Sequence, residues 1–115
     1  MDLNTLQLRT DHDGRWLRFE GDVNYATIDE VRETLREGLR KASAPIVFDM
    51  RGVTFLGSMG VELLLECAKE DARQRLVLLL NEEIDRVLNA AGVKGKFRVA
   101  ATAGDAERMV GEEAT

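Results

Sequence analysis

Apolar and polar positions alternate in two short stretches near the start of the chain. Leu6 and Leu8 stand between polar neighbours, as do Leu17 and Phe19, the period of two expected of half-buried strands. Asp11-His12-Asp13-Gly14 lies between the stretches, and Asp and Gly supply turn conformations, so an N-terminal β-hairpin is predicted. After Gly21 the period changes. Thr27-Ile28-Asp29-Glu30 has the capping-box spacing, a hydroxyl to accept the N3 amide and a carboxylate to reach back. A helix then runs to about Lys41, with Ile28, Val31, Leu35 and Leu39 on one face.

Pro45 ends that connection, and Ile46 to Met50 is a short apolar run of the kind buried on both faces of a parallel sheet. Arg51 to Gly57, with two glycines, reads as a loop. A helical period returns at Ser58, with Val61, Leu64, Leu65, Ala68 and Ala72 on one face and Glu62, Glu66, Lys69 and Arg73 on the other. Arg75 to Leu80 is a further buried strand. Asn81 caps a short helix whose Ile84, Val87, Leu88 and Ala91 face the core and whose stop is Gly92. Phe97 to Val99 makes a last strand, and Thr102 with Asp105 opens a closing helix through Ala106, Met109 and Val110. Strands alternating with helices require parallel pairing with right-handed crossovers. The fold class is therefore α/β: a single domain over residues 1–110 with a mostly parallel sheet, an antiparallel N-terminal strand and about four helices. The polar tail, residues 111–115, is expected to fray.

Length agrees with this, since 115 residues make one domain that buries roughly two thirds of its unfolded surface. The formal charge is -5, and basic residues alternate with acidic ones, so no stripe is available for nucleic acid or anionic lipid. Apolar runs such as Leu76 to Leu80 are too short to cross a membrane, and the first residues lack a signal pattern. A cytoplasmic protein with no direct membrane insertion is expected. The single cysteine, Cys67, excludes an intramolecular disulfide framework and a multi-cysteine metal site.

Candidate chemistry is sparse. His12 sits in the predicted hairpin turn, remote from Ser58 and Cys67, which leaves neither with a histidine base. Cys67 borders a buried helix face and reads as a small apolar group, Trp16 as packing on the sheet. Asp49, near the end of a buried strand, reads as structural, accepting loop amides and ordering the turn at Arg51-Gly52. Gly57-Ser58-Met59-Gly60 lacks the Lys-Ser/Thr pair of a nucleotide loop. Catalytic residues, metal ligands and cofactors are thus all expected to be absent, which argues against a small enzyme.

Ser58 and Met59 differ from the rest. Ser58 is placed at the N-cap of its helix, where a phosphate is favoured by the helix dipole and the orphan amides. Met59 projects nearly opposite the Val61, Leu64 and Ala68 face, with Leu63 close to it, so two apolar side chains are expected outside beside Ser58. The loops after the strands, Gly21 to Ala26, Arg51 to Ser58 and the start at Asn81, gather on one edge, where α/β sheets form sites.

The run Phe55-Leu56-Gly57-Ser58-Met59-Gly60-Val61, following Ile46 to Val53, resembles the signature of the STAS domain, best known in bacterial anti-sigma factor antagonists. Gly21-Asp22-Val23-Asn24 resembles the family's Gly-Glu-Leu-Asp turn, and Val87 to Gly92 its short helix ending in Gly. The resemblance implies a regulator of transcription that binds an anti-sigma factor, commonly a serine kinase with an ATP-binding fold, and frees a sigma factor. It implies phosphorylation of Ser58 by that kinase and reversal by a phosphatase. Gly57 stands where the family motif has aspartate, Met59 where it has a second hydroxyl residue, and Asn24 at the acidic end of the earlier turn. The partner-binding edge it implies comprises Asp22, Asn24, Gly57, Ser58, Met59, Glu62 and Leu63. The alternative is a phosphorylation-independent accessory subunit of a membrane lipid transporter.

Overall fold

The hairpin opens the sheet. In the computed structural model, which describes residues 6–11, 15–41, 45–71 and 75–114, β1 (Leu6–Asp11) and β2 (Trp16–Val23) pair antiparallel from Leu6↔Gly21 to Asp11↔Trp16. The turn residues His12, Asp13 and Gly14 lie outside the described residues. The chain continues through α1 (Ile28–Lys41), β3 (Ile46–Leu56), α2 (Ser58–Glu70), β4 (Leu76–Leu79), α3 (Glu82–Ala90), a 3-10 turn at Lys94–Lys96, β5 (Arg98–Ala100) and α4 (Ala103–Ala114). The strands lie in sequence order, and β2 to β5 are parallel. Among the described residues the fold class is as the alternation predicts.

Helix α1 buries the four residues its period selects, Ile28, Val31, Leu35 and Leu39. Each contributes roughly 2 kcal/mol by leaving water, whereas its exposed ion pair Arg32–Asp29 (2.8 Å) is worth about 0.5 kcal/mol, so packing holds the helix. The Thr27 hydroxyl does not serve the capping-box role predicted for it. It donates to the Asp22 carbonyl (2.8 Å) and accepts from the Asn24 amide (3.0 Å), bonding the preceding turn. Helices α1, α2 and α3 share one core with Phe19, Phe48 and Leu78 on one face of the sheet, where the Phe19 and Phe48 rings meet edge to face at 6.1 Å. Helix α4 covers part of the other face, burying Ala106 and Val110 against Trp16, Val47, Val77 and Leu79; Trp16 packs on the sheet as expected.

The segment from Arg51 to Leu56, read as loop, is strand. Pairing with β4 stops at Asp49↔Leu79, but β3 runs on through Met50–Leu56 beside β2, ending at Val23↔Leu56. Two register shifts accompany the extension, between Arg18↔Asp49 and Glu20↔Gly52 and between Gly21↔Val53 and Asp22↔Phe55. Each puts an extra residue on β3, as a bulge does. Gly21 takes φ 119° at the second shift, a conformation that favours glycine. The buried side chains are consequently Met50, Val53 and Leu56. A spacing of three conceals a strand from a search for alternation.

A carboxylate serves each bulge. At the first, Asp49, 1% exposed, accepts from the Arg51 amide (3.2 Å) and Nε (3.0 Å) and from Arg18 Nε (3.0 Å). At the second, the Thr54 hydroxyl donates to Asp22 Oδ1 (2.5 Å). The structural reading of Asp49 therefore holds, with the ordered feature a bulge instead of a turn. Burial pushes the Asp49 carboxyl up, but the hydrogen bonds and charge of Arg51, with Arg18, outweigh it and hold the group below its ordinary value. A lowered folded value means that this stabilisation is present above the ordinary aspartate range and is lost as pH falls through the folded value. Asp49→Asn should therefore cost about 2 kcal/mol at neutral pH and flatten the acid limb of stability below about pH 4. Urea unfolding across pH measures both, and an unchanged acid limb would contradict the assignment.

Candidate partner-docking edge

The overhanging half of β3 lacks β4 as a neighbour, and Asn81 takes its place. Its Nδ2 donates to the carbonyls of Arg51 (3.1 Å) and Val53 (2.8 Å), while its Oδ1 accepts from the Ile84 amide (2.8 Å) and caps α3. One side chain thus satisfies strand carbonyls and a helix amide together. The sequence predicts Asn81 as a cap, whereas its bonds to β3 depend on the overhang. Gly92, with φ 73°, follows α3 as the expected stop.

Beside the strand end, Asn24 Oδ1 accepts from the Ala26 amide (2.9 Å) and the Asn24 carbonyl from the Thr27 amide (3.0 Å). Asn24 therefore does turn chemistry on this edge, while Asp22 bonds the turn through its carbonyl and β3 through its carboxylate. Tyr25 stands 82% exposed at the tip of the turn. The Gly57 amide donates to the Val23 carbonyl (3.3 Å), which joins this turn to the start of α2.

Helix α2 departs from its predicted register in two ways. Gly57, extended at φ -79° and ψ 178°, is the N-cap, and Ser58 is the first helical residue, because β3 carries the extended backbone through Leu56. Ser58 remains exposed, but it is not the cap. The buried face comprises Gly60, Leu63, Leu64 and Cys67, one residue back from the expected Val61, Leu64, Leu65 and Ala68. Both sets have helical spacing and apolar members. Gly60 decides between them: a Cβ there would lie 2.3 Å from Leu56 Cδ1 and 3.2 Å from Val23 Cγ1, so only glycine lets the helix approach that closely. Leu63 is accordingly 1% exposed and belongs to the core, which corrects its placement on the docking edge. Ala72 and Arg73 lie outside the described residues.

The edge that results brings Asp22, Asn24, Gly57, Ser58 and Met59 together at the carboxyl ends of β2 and β3, with Glu62 exposed one turn along α2. Met59 is 43% exposed and Phe55 51%. Phe55 and Tyr25 lie in segments that the sequence places on this edge but are not among the residues expected to bind a partner, because a lone aromatic in a predicted loop carries no periodic signal. The first turn of α2 has no acidic residue, whereas α1 begins with Asp29 and Glu30 and α3 with Glu82 and Glu83. The N-terminus of α2 thus keeps its partial positive charge without a side-chain counter-charge.

Among the described residues no group of three or more His, Cys, Asp or Glu could hold a metal ion, and no helix is long and apolar enough to cross a membrane. Cys67 is fully buried; burial, with Glu70 nearby, pushes its thiol up to about 11.

A small α/β domain with four helix N-termini opening on the carboxyl edge of its parallel strands is the class that this geometry defines. The STAS domain family model matches residues 5–106, and the chain belongs to that family. It is similar in structure to an anti-sigma factor antagonist from Mycobacterium paratuberculosis, at 21% identity over 92% of each chain with a TM-score of 0.79. The anti-sigma factor antagonist SpoIIAA in its unphosphorylated form is similar at 18% identity and TM-score 0.68, over 93% of this chain and 97% of that one. A chain of the Pseudomonas aeruginosa complex of the diguanylate cyclase SiaD with its activator SiaC is similar at 18% identity and TM-score 0.59, over 87% and 93%. No curated protein matches the chain.

Gly60→Ala should destabilise the fold by about 2 kcal/mol through overpacking. Combined with Leu56→Ala it should cost less than the sum of the two single changes, as urea denaturation would read; simple additivity would deny the contact. The native thiol of Cys67 should resist iodoacetamide at about pH 8 and react fully once unfolded, and rapid labelling of the folded chain would contradict its burial.

Proposed function

We propose that the chain is an anti-sigma factor antagonist, a cytoplasmic binding module whose carboxyl edge docks an anti-sigma factor and thereby frees a sigma factor. The observation that carries the proposal is Ser58, exposed at the first helical position of α2 on the edge where Asp22, Asn24, Gly57, Met59 and Glu62 gather. Family membership and the likeness of fold to two anti-sigma factor antagonists support it.

The anti-sigma factor is a serine kinase with an ATP-binding fold, and it controls its own release. Ser58 Oγ attacks the γ-phosphorus of ATP, the Oγ–P bond forms as the bond to the ADP oxygen breaks, and the hydroxyl proton is lost. The product phosphate lies at a helix N-terminus with no acidic residue in its first turn, where dipole and orphan amides favour it. The helix therefore tolerates the modification. A partner seated on the edge does not, because a charge of roughly -1.5 to -2 enters the contact. A phosphatase restores docking by hydrolysing the phosphoserine.

The test is a pull-down from host lysate with wild type, Ser58→Ala and Ser58→Glu in parallel, with mass spectrometry of the bound proteins. Wild type and Ser58→Ala should recover a kinase-like anti-sigma factor, and Ser58→Glu should lose about tenfold or more of it. Equal recovery by all three removes Ser58 control, and recovery of lipid-transporter subunits instead removes the antagonist reading.

A further inference from the structure

We infer that the docking edge recognises its partner through an apolar centre of Tyr25, Phe55 and Met59 set inside an acidic rim, so that it takes an apolar pocket bordered by lysine or arginine. The inference rests on the functional reading above, and the occupant is the anti-sigma factor named there. Among the described residues the exposed large hydrophobic side chains are these three. They come from three segments, the turn after β2, the end of β3 and the first turn of α2. Strand pairing brings the segments to one place, through Asp22↔Phe55, Val23↔Leu56 and the Gly57 amide on the Val23 carbonyl. Scattered exposed apolar residues are ordinary. Three on one edge beside an exposed serine suit a contact surface.

Each member is held in a way that suits docking. A Cβ on Gly57 would lie 3.1 Å from Phe55 Cε2 and 3.4 Å from Cζ, so the ring already occupies space that a side chain at 57 would use. Tyr25 rides on a turn closed by the Asn24 and Thr27 hydrogen bonds, which limits the ordering cost of binding. Met59 is unbranched and adapts to an irregular pocket.

On the helices that begin at this edge stand the exposed Glu30, Glu62, Glu82 and Glu83, while Asp29 is paired with Arg32 and the Arg51 guanidinium with Asp49. Complementary charge sets association rate, and buried aromatic anchors set dissociation rate. A phosphate on Ser58 falls in the apolar centre, where an apolar pocket offers it no counter-charge. Apolar docking and release by phosphorylation are then one device.

The experiment is surface plasmon resonance with the purified anti-sigma factor recovered by wild type, against wild type, Tyr25→Ser, Phe55→Ser, Ser58→Glu and a Glu82→Gln/Glu83→Gln chain at low and high NaCl. Thermal melting of each chain runs alongside. Tyr25→Ser, with its side chain almost wholly in solvent, keeps the test valid should Phe55→Ser disturb the fold. Both serine variants should raise Kd about tenfold or more through faster dissociation. The rim variant should slow association and weaken its salt dependence. Binding of Tyr25→Ser and of folded Phe55→Ser within about twofold of wild type, with Ser58→Glu still released, would overturn this surface and leave the antagonist reading intact. Loss of binding by the serine variants while Ser58→Glu binds normally would uphold the surface and remove phosphoserine control. Failure of wild type to recover any anti-sigma factor overturns the occupant and the reading together.

Discussion

Strand β3 outruns its parallel neighbour β4, and the backbone groups of its free half must find partners elsewhere. β2 supplies them on one side and the Asn81 side chain on the other. Without these bonds the overhang would expose or bury unpaired carbonyls at a cost of about 1–3 kcal/mol each. The two bulges that keep β2 in step are served by Asp49 and Asp22, so the same polar network that closes the overhang also aims it. Ser58 and Met59 begin a helix at the end of that projection, and the docking edge follows from it.

Close packing then decides how the edge is presented. With no side chain at Gly60, α2 settles onto Leu56 and Val23, which turns Leu63, Leu64 and Cys67 inward and leaves Ser58, Met59 and Glu62 outside. Interhelical pairs of Arg36 with Glu70 (3.2 Å) and Glu66 (3.6 Å) lie on the exposed side of the α1–α2 contact. As surface pairs they are weak beside the apolar burial beneath them, so packing determines the register of the helix.

Electrostatics and hydrophobicity are divided between the rim and centre of this edge. The helices on either side of α2 in sequence begin with carboxylates, while α2 begins with serine and methionine. Acidic first turns stabilise α1 and α3 through their dipoles. Their absence from α2 leaves a helix terminus that can carry an added phosphate.

Much of this was legible in the residue pattern. Period-two stretches located the hairpin, the Ile28, Val31, Leu35, Leu39 stripe located α1 and its buried face, and Asn81 and Gly92 bracketed α3, because these signals depend on neighbours along the chain. The motif around Ser58 likewise lies on the sheet edge that the order of elements predicts. The strand through Arg51 to Leu56 was not legible, since two bulges turned its buried spacing from two into three. Nor was the face of α2, where two overlapping apolar stripes were equally good helices and a glycine read as turn was the point of closest contact. Leu63 moved into the core for the same reason. Local sequence determined which segments could be strands and helices; pairing across β2 and β3 and the steric limit at Gly60, both contacts between distant parts of the chain, decided which side chains the carboxyl edge exposes.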